Sequence, residues 1–133
     1  MIGTFGSIRE TLIHMFTAEE GYARHFNFTG APPTPPLKEI ATLPCFDELK
    51  RRAERSGREP TVIAEQGDLN KILHLDVLHL DGGTYDAPVI NVLIQAINHG
   101  VDHRSQIATL LSQEGIEPLV LDGWAYNDSL AGA

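Results

Sequence analysis

The chain has 133 residues, and 18 Asp and Glu against 10 Lys and Arg give it a formal charge of −8 with its six histidines neutral. That length fits one domain over residues 1–133, and Leu, Ile, Val and Phe make up 37 of the 133 residues, about 28%, enough for a packed core. The acidic balance argues against a nucleic-acid partner; the lack of a long apolar run or leader-like start argues against a membrane partner; and the lone Cys45 argues for a soluble, cytoplasmic protein.

Ser7-Ile8-Arg9-Glu10 has the spacing in which a serine hydroxyl and a glutamate three residues on satisfy free N–H groups at a helix start. A helix is predicted over residues 8–26. Ile8, Leu12, Met15, Ala23 and Phe26 share one stripe, flanked by Phe16, that suits a core-facing helix. A connector over about 29–44 follows, with four prolines between residues 29 and 36, where fixed φ and missing donors rule out helix and central strand. A second helix is predicted to begin near residues 44–47, to carry Phe46, Leu49 and Ala53 inward, and to end at Gly57, with Pro60 opening a short turn over 61–65. Its arginines, Arg51, Arg52, Arg55 and Arg58, sit among Glu48, Glu54 and Glu59 and form no clean basic stripe.

Over 71–80 the period changes. Leu73, Leu75 and Val77 alternate with His74 and Asp76 as in a half-buried strand, and Asp81-Gly82-Gly83 offers a turn into a return strand over 84–87. The longest helix is predicted between Pro88 and Gly115, with Val89, Val92, Leu93, Ala96, Ile107, Leu110 and Leu111 in a sector about 100° wide. Residues 116–133 read as an irregular tail with Trp124 and Tyr126 as aromatic anchors that cap the core or close a pocket. Cys45 reads as inert packing near a helix start.

The candidate chemistry lies in the middle of the longest helix. His99 and His103 are four residues apart, so their rings lie one above the other on one face. Such a pair can hold a metal, lie exposed, or be a core pair bonded to carboxylates or carbonyls; a cation would satisfy ring nitrogens that otherwise cost about 1–3 kcal/mol each when buried unpaired. His14 shares a small-residue face with Ser7, Thr11, Ala18 and Gly21 that permits close approach of another helix. His74 and His79 read as a solvated sheet surface, and His25 as a partner of the helix dipole. Asp102 points about 100° away from His103 and reads as a surface or supporting group. Arg104 can receive a substrate carboxylate or serve in an ion pair. Gln106 is expected to face His99 and orient it, as metal-bound histidines require.

Leu12-Ile13-His14-Met15 with Ala18-Glu19, then Asn98-His99 and His103-Arg104-Ser105-Gln106-Ile107, trailed by Leu111, Gly115, Pro118, Asp122 and Tyr126, resembles the DinB family over about residues 5–126. The resemblance implies an all-α, four-helix bundle in which three histidines hold a divalent metal, Zn or Ni foremost. It maps the single histidine onto His14 and the pair onto His99 and His103. Family bundles usually carry a further helix ahead of the His14 segment, where only residues 1–6 stand here. The expected fold is therefore a DinB-like bundle lacking the usual first helix, with a small β-hairpin before the last long helix. Its open apolar face reflects a truncated product or is buried against a second subunit in a homodimer.

Three neutral imidazoles leave a metal at least one open position, where water is acidified or a thiol deprotonated. Characterised relatives include transferases that use low-molecular-weight thiols and a thiol-dependent maleylpyruvate isomerase. The resemblance thus implies a metal-binding protein and, as an enzyme, a thiol S-transferase or a hydrolase acting on a small molecule; no residue is singled out as catalytic. The alternative is a non-catalytic metal-binding or dimerising stress-response bundle.

Overall fold

The structure, a computed structural model, describes residues 6–26, 45–76 and 84–132. Its elements run α1 (Ile8–Phe26), α2 (Phe46–Gln66), β1 (Ile72–Asp76), β2 (Thr84–Pro88), α3 (Val89–Gln113) and α4 (Gly123–Ala131). The expected helical architecture, with a hairpin ahead of the last long helix, is present. The Pro-rich connector, the turn at residues 81–83, Val77 and His79 lie outside the described residues. None of the described helices is long and apolar enough to cross a membrane.

α1 starts as its sequence dictates. The Glu10 N–H donates to Ser7 Oγ at 3.2 Å while the Ser7 N–H donates to the Glu10 carboxylate at 2.8 Å, closing the capping box. Met15 and Phe26 are buried on the predicted stripe.

α2 corrects the expected break. The helix passes through Gly57 and Pro60 to Gln66 without a stop at Gly57. Its buried positions are Leu49, Arg52, Ser56, Glu59 and Ile63, spaced alternately three and four apart, the repeat of a helix seam. Three of those five side chains are polar, so a search for apolar periodicity loses the seam after Leu49. Burial of Ile63 beyond the proline holds together a turn that lacks one backbone donor. Phe46, expected inside, is exposed.

The polar seam has partners on α1. Arg52 Nη1 meets Glu20 Oε1 at 3.2 Å, with the two side chains 5% and 4% exposed, and Arg52 Nε donates to Glu48 Oε1 at 2.8 Å. Ser56 Oγ donates to Glu19 Oε2 at 2.9 Å. Since Phe26 joins Ile63 in one cluster further along, α1 and α2 run in the same direction.

β1 and β2 pair antiparallel, Ile72 opposite Pro88 through Asp76 opposite Thr84. Leu73 and Ala87 point inward and, with Phe26, Ile63, Val89, Val92 and Leu93, form the core cluster at one end of the helices. On the solvent side His74 Nδ1 contacts Asp86 Oδ1 at 2.6 Å, as expected for an exposed sheet position. The hairpin also fixes the start of α3: the Val89 and Ile90 N–H groups donate to the Lys71 and Leu69 carbonyls at 2.9 and 3.0 Å, satisfying donors that a helix start otherwise leaves free.

α3 ends where predicted. Gly115 takes φ +73, and the Ile116 N–H donates back to the Leu111 carbonyl at 2.9 Å, the closure that a left-handed residue permits. The tail is a second correction. Asp122 accepts the Ala125 N–H at 2.8 Å and starts α4. No residue of α4 is buried. Trp124 and Tyr126 are 80% and 67% exposed, so neither anchors the tail to the core.

The Arg52–Glu20 pair predicts an asymmetric cost of mutation. Arg52→Ala takes from the buried Glu20 its guanidinium partner and should lower unfolding stability by about 3–5 kcal/mol, Glu20→Leu should cost less because Arg52 keeps Glu48, and the Arg52→Met/Glu20→Leu double variant should lose less than Arg52→Ala. Urea denaturation of the three variants measures the difference.

Candidate metal centre

α3 carries His99 and His103 one turn apart, and α1 packs against it in the opposite direction. The order of contacts shows this: Phe26 lies with Val92, Tyr22 with His99, and His14 with His99 and His103. The face of α1 that turns this way is the small-residue one predicted to allow close approach, and Thr11 on it has no exposed surface. Gly100, between the two histidines, is buried, and a Cβ there would meet Arg104 Nη1 at 2.5 Å.

Three imidazoles converge as a result. His14 Nε2 lies 3.3 Å from His99 Nε2, and His99 Nε2 lies 3.2 Å from His103 Nε2. One nitrogen from each ring falls within 4.8 Å of the other two. The centroids are 5.2 Å apart for His14 and His99, 4.6 Å for His14 and His103, and 4.4 Å for His99 and His103. His103 is buried; His14 and His99 are half-buried.

Proton placement follows from the neighbours. Gln106 Oε1 is an acceptor 2.9 Å from His103 Nδ1, so Nδ1 carries the proton and Nε2 presents a lone pair to the cluster. Burial holds the His14 pKa below its ordinary value, and His103 adds to that effect. Burial also lowers His99, reinforced by His103 and His14, while Asp102 pulls the other way. For His14 and His99 the shift favours the neutral form, the state in which imidazole ligates a metal.

The residues present fit a cation. With Zn–N near 2.0–2.1 Å, two nitrogens on a tetrahedron lie roughly 3.3–3.4 Å apart, and the two Nε2 separations across the cluster are 3.2 and 3.3 Å. Without an ion, the nitrogens can be reconciled only by sharing protons between adjacent lone pairs. His99 Nδ1 is buried and has no hydrogen-bond partner among the described residues.

Gln106 differs from expectation. It holds His103 and not His99, because three residues carry it about one turn along α3 whereas the seven from His99 carry it about 10 Å. Asp102 is exposed and is no member of the cluster. Arg104 is paired: its Nη2 lies 3.5 Å from Glu19 Oε1. Burial pushes the Glu19 carboxyl up, and the Ser56 hydroxyl and Arg104 pull it back down. This pair borders an apolar cleft of about 450 Å³ lined by Met15, Phe16, Ile107 and Leu111, next in sequence to His14 on one helix and one turn beyond His103 on the other. Cys45 is exposed ahead of α2, so it does not pack in the interior. His25 lies in the last turn of α1, where a dipole partner belongs.

Sequence reasoning missed Tyr22, whose ring stands edge-on to His99 at 6.2 Å between centroids. The 14-to-22 spacing sets it two turns along α1 from His14, a signal that a search for metal ligands passes over. Glu19 appeared only as part of a motif, and its pairing with Arg104 spans 85 residues of sequence.

No curated protein and no solved structure matches the chain. The family profile described as DinB family does match, over residues 1–131, and takes in all three histidines together with the hairpin and α4. By that match the chain belongs to the DinB family.

Proposed function

We propose that His14, His99 and His103 hold one divalent cation, Zn or Ni foremost, and that the protein is a metal-dependent enzyme using a low-molecular-weight thiol or water against a small electrophile. The observation that carries this reading is the spacing of the three ring nitrogens, one from each ring within 4.8 Å of the other two. A cation so held would supply Lewis acidity, bringing a thiol or water toward deprotonation near neutral pH. The protein's own groups prepare for that: burial keeps His14 and His99 neutral, and Gln106 fixes the ring plane and tautomer of His103. The apolar cleft beside Glu19 and Arg104 is the place for a small substrate, with Arg104 at its border to meet an acidic group. Exposed apolar side chains along α3 and the tail support a homodimer, and a chain with one cysteine supports a reducing, cytoplasmic setting.

Metal content tests the reading. Protein purified without an affinity tag should carry close to one equivalent of metal per chain, and His14→Ala, His99→Ala or His103→Ala should each remove most of it. A metal-free wild type that gains no thermal stability from added Zn or Ni would end the proposal, since a ligand at 100 times its Kd adds about 2.7 kcal/mol. The thiol part is separable: small thiols should change the visible spectrum of the cobalt-substituted protein, and an unchanged spectrum overturns the thiol and leaves water activation or the non-catalytic bundle.

The lowered pKa values of His14 and His99 fix the sign of a pH effect. Below their ordinary value of 6.5, the unfolded chain binds protons that the folded chain refuses. Stability of chelator-treated protein should therefore be full above about pH 6.5 and fall on acidification. Replacing both with glutamine should flatten the fall, as read from urea midpoints at pH 7.5 and 5.5.

A further inference from the structure

The side of α3 opposite the histidines carries a second apolar row. Ile90, Ile94, Ile97 and Val101 are 36–58% exposed, spaced four, three and four apart, which aligns them along one helix face. At 100° per residue this row lies roughly 170° around the helix from His99, so a partner covering it leaves the histidines untouched.

The composition of the row narrows the partner. Between residues 89 and 101 there is no Asp, Glu, Lys or Arg, so nothing there attracts a charged surface. Two copies each carrying −8 repel one another unless they meet where charge is absent, and this face provides that place. The spacing is also palindromic. A two-fold axis between Gln95 and Ala96 sets Ile90 opposite Val101 and Ile94 opposite Ile97, so one copy of the row complements another running the opposite way. The four side chains alone fall short of the ~800 Å² per partner that a stable interface buries. The apolar surface continues, however, past Val101 into a cleft bordered by Leu119, Leu121 and Tyr126, and these, with Val120 and Trp124, are each at least two thirds exposed.

We propose that two copies of this chain pair through the outer face of α3, the helices antiparallel, with Ile90 against the partner's Val101 and Ile94 against the partner's Ile97, flanked by the tail segments. This rests on the homodimer reading above and adds its surface and orientation.

Sedimentation and light scattering at micromolar concentration test both. The wild type should have twice the chain mass, and Ile94→Glu and Ile97→Glu should each have the single-chain mass with unchanged helical circular dichroism and metal content. A single-chain wild type overturns the homodimer and the surface together; a wild-type dimer that survives Ile97→Glu overturns the surface alone. Cysteine cross-linking in a Cys45→Ser background covers the case in which the charged variants fail to fold. Co-expressed Ile94→Cys and Ile97→Cys chains should form disulfide-linked pairs several-fold faster than either alone. Faster linkage of each variant with itself would overturn the antiparallel arrangement.

Discussion

The approach of α1 to α3 is the constraint on which the candidate site depends. Imidazole side chains are short, and nitrogens on opposing helices reach 3.3 Å only where the helices carry little bulk between them. Thr11 on α1 meets that condition with no exposed surface, while Gly100 on α3 leaves room for the Arg104 side chain. Burying three imidazoles together is unfavourable in itself, because each unsatisfied nitrogen costs on the order of 1–3 kcal/mol. A cluster of this kind persists where the surrounding packing over-determines it. Here the hairpin sets the start of α3, the capping box sets the start of α1, and the core cluster of Phe26, Val89, Val92 and Leu93 locks the two helices at one end.

What could be read from the sequence follows how local each signal is. Capping residues and glycine stops act over one turn, so α1 and α3 were legible nearly to the residue, and the 99/103 pair followed from helix geometry alone. His14 was different: periodicity placed it on a small-residue face but could not say what approached that face, and the family motif supplied the link. The extent of α2 was hidden because Arg52, Ser56 and Glu59 occupy interior positions, a choice visible only once Glu19 and Glu20 are known to lie opposite. The role of Gln106 turned on counting turns rather than faces. α4 was overlooked since its one start signal, Asp122, heads a stretch that buries nothing.

α3 serves two surfaces at once. Its histidine side and core side are occupied by α1, the hairpin cluster and the imidazoles, and its exposed side carries the aliphatic row of Ile90, Ile94, Ile97 and Val101 beside a polar stripe of Asn91, Gln95, Asn98 and Asp102. A helix with apolar rows on two sides has one more than its own core requires, and in α3 the second row is left exposed. The same helix thus carries the paired histidines on one side and an uncovered aliphatic row on the other.

The polar seam of α2 carries a consequence for how the chain finds its fold. Apolar seams are forgiving: aliphatic side chains slide past one another, and a helix can dock one turn out of step, or upside down, at modest loss. A buried guanidinium is not forgiving. Docking α2 in reverse would carry Arg52, with Glu48 beside it on the same helix, away from the buried Glu20 carboxylate. A wrong alignment of α2 thus loses the Arg52–Glu20 contact, a penalty that an all-aliphatic seam would not impose.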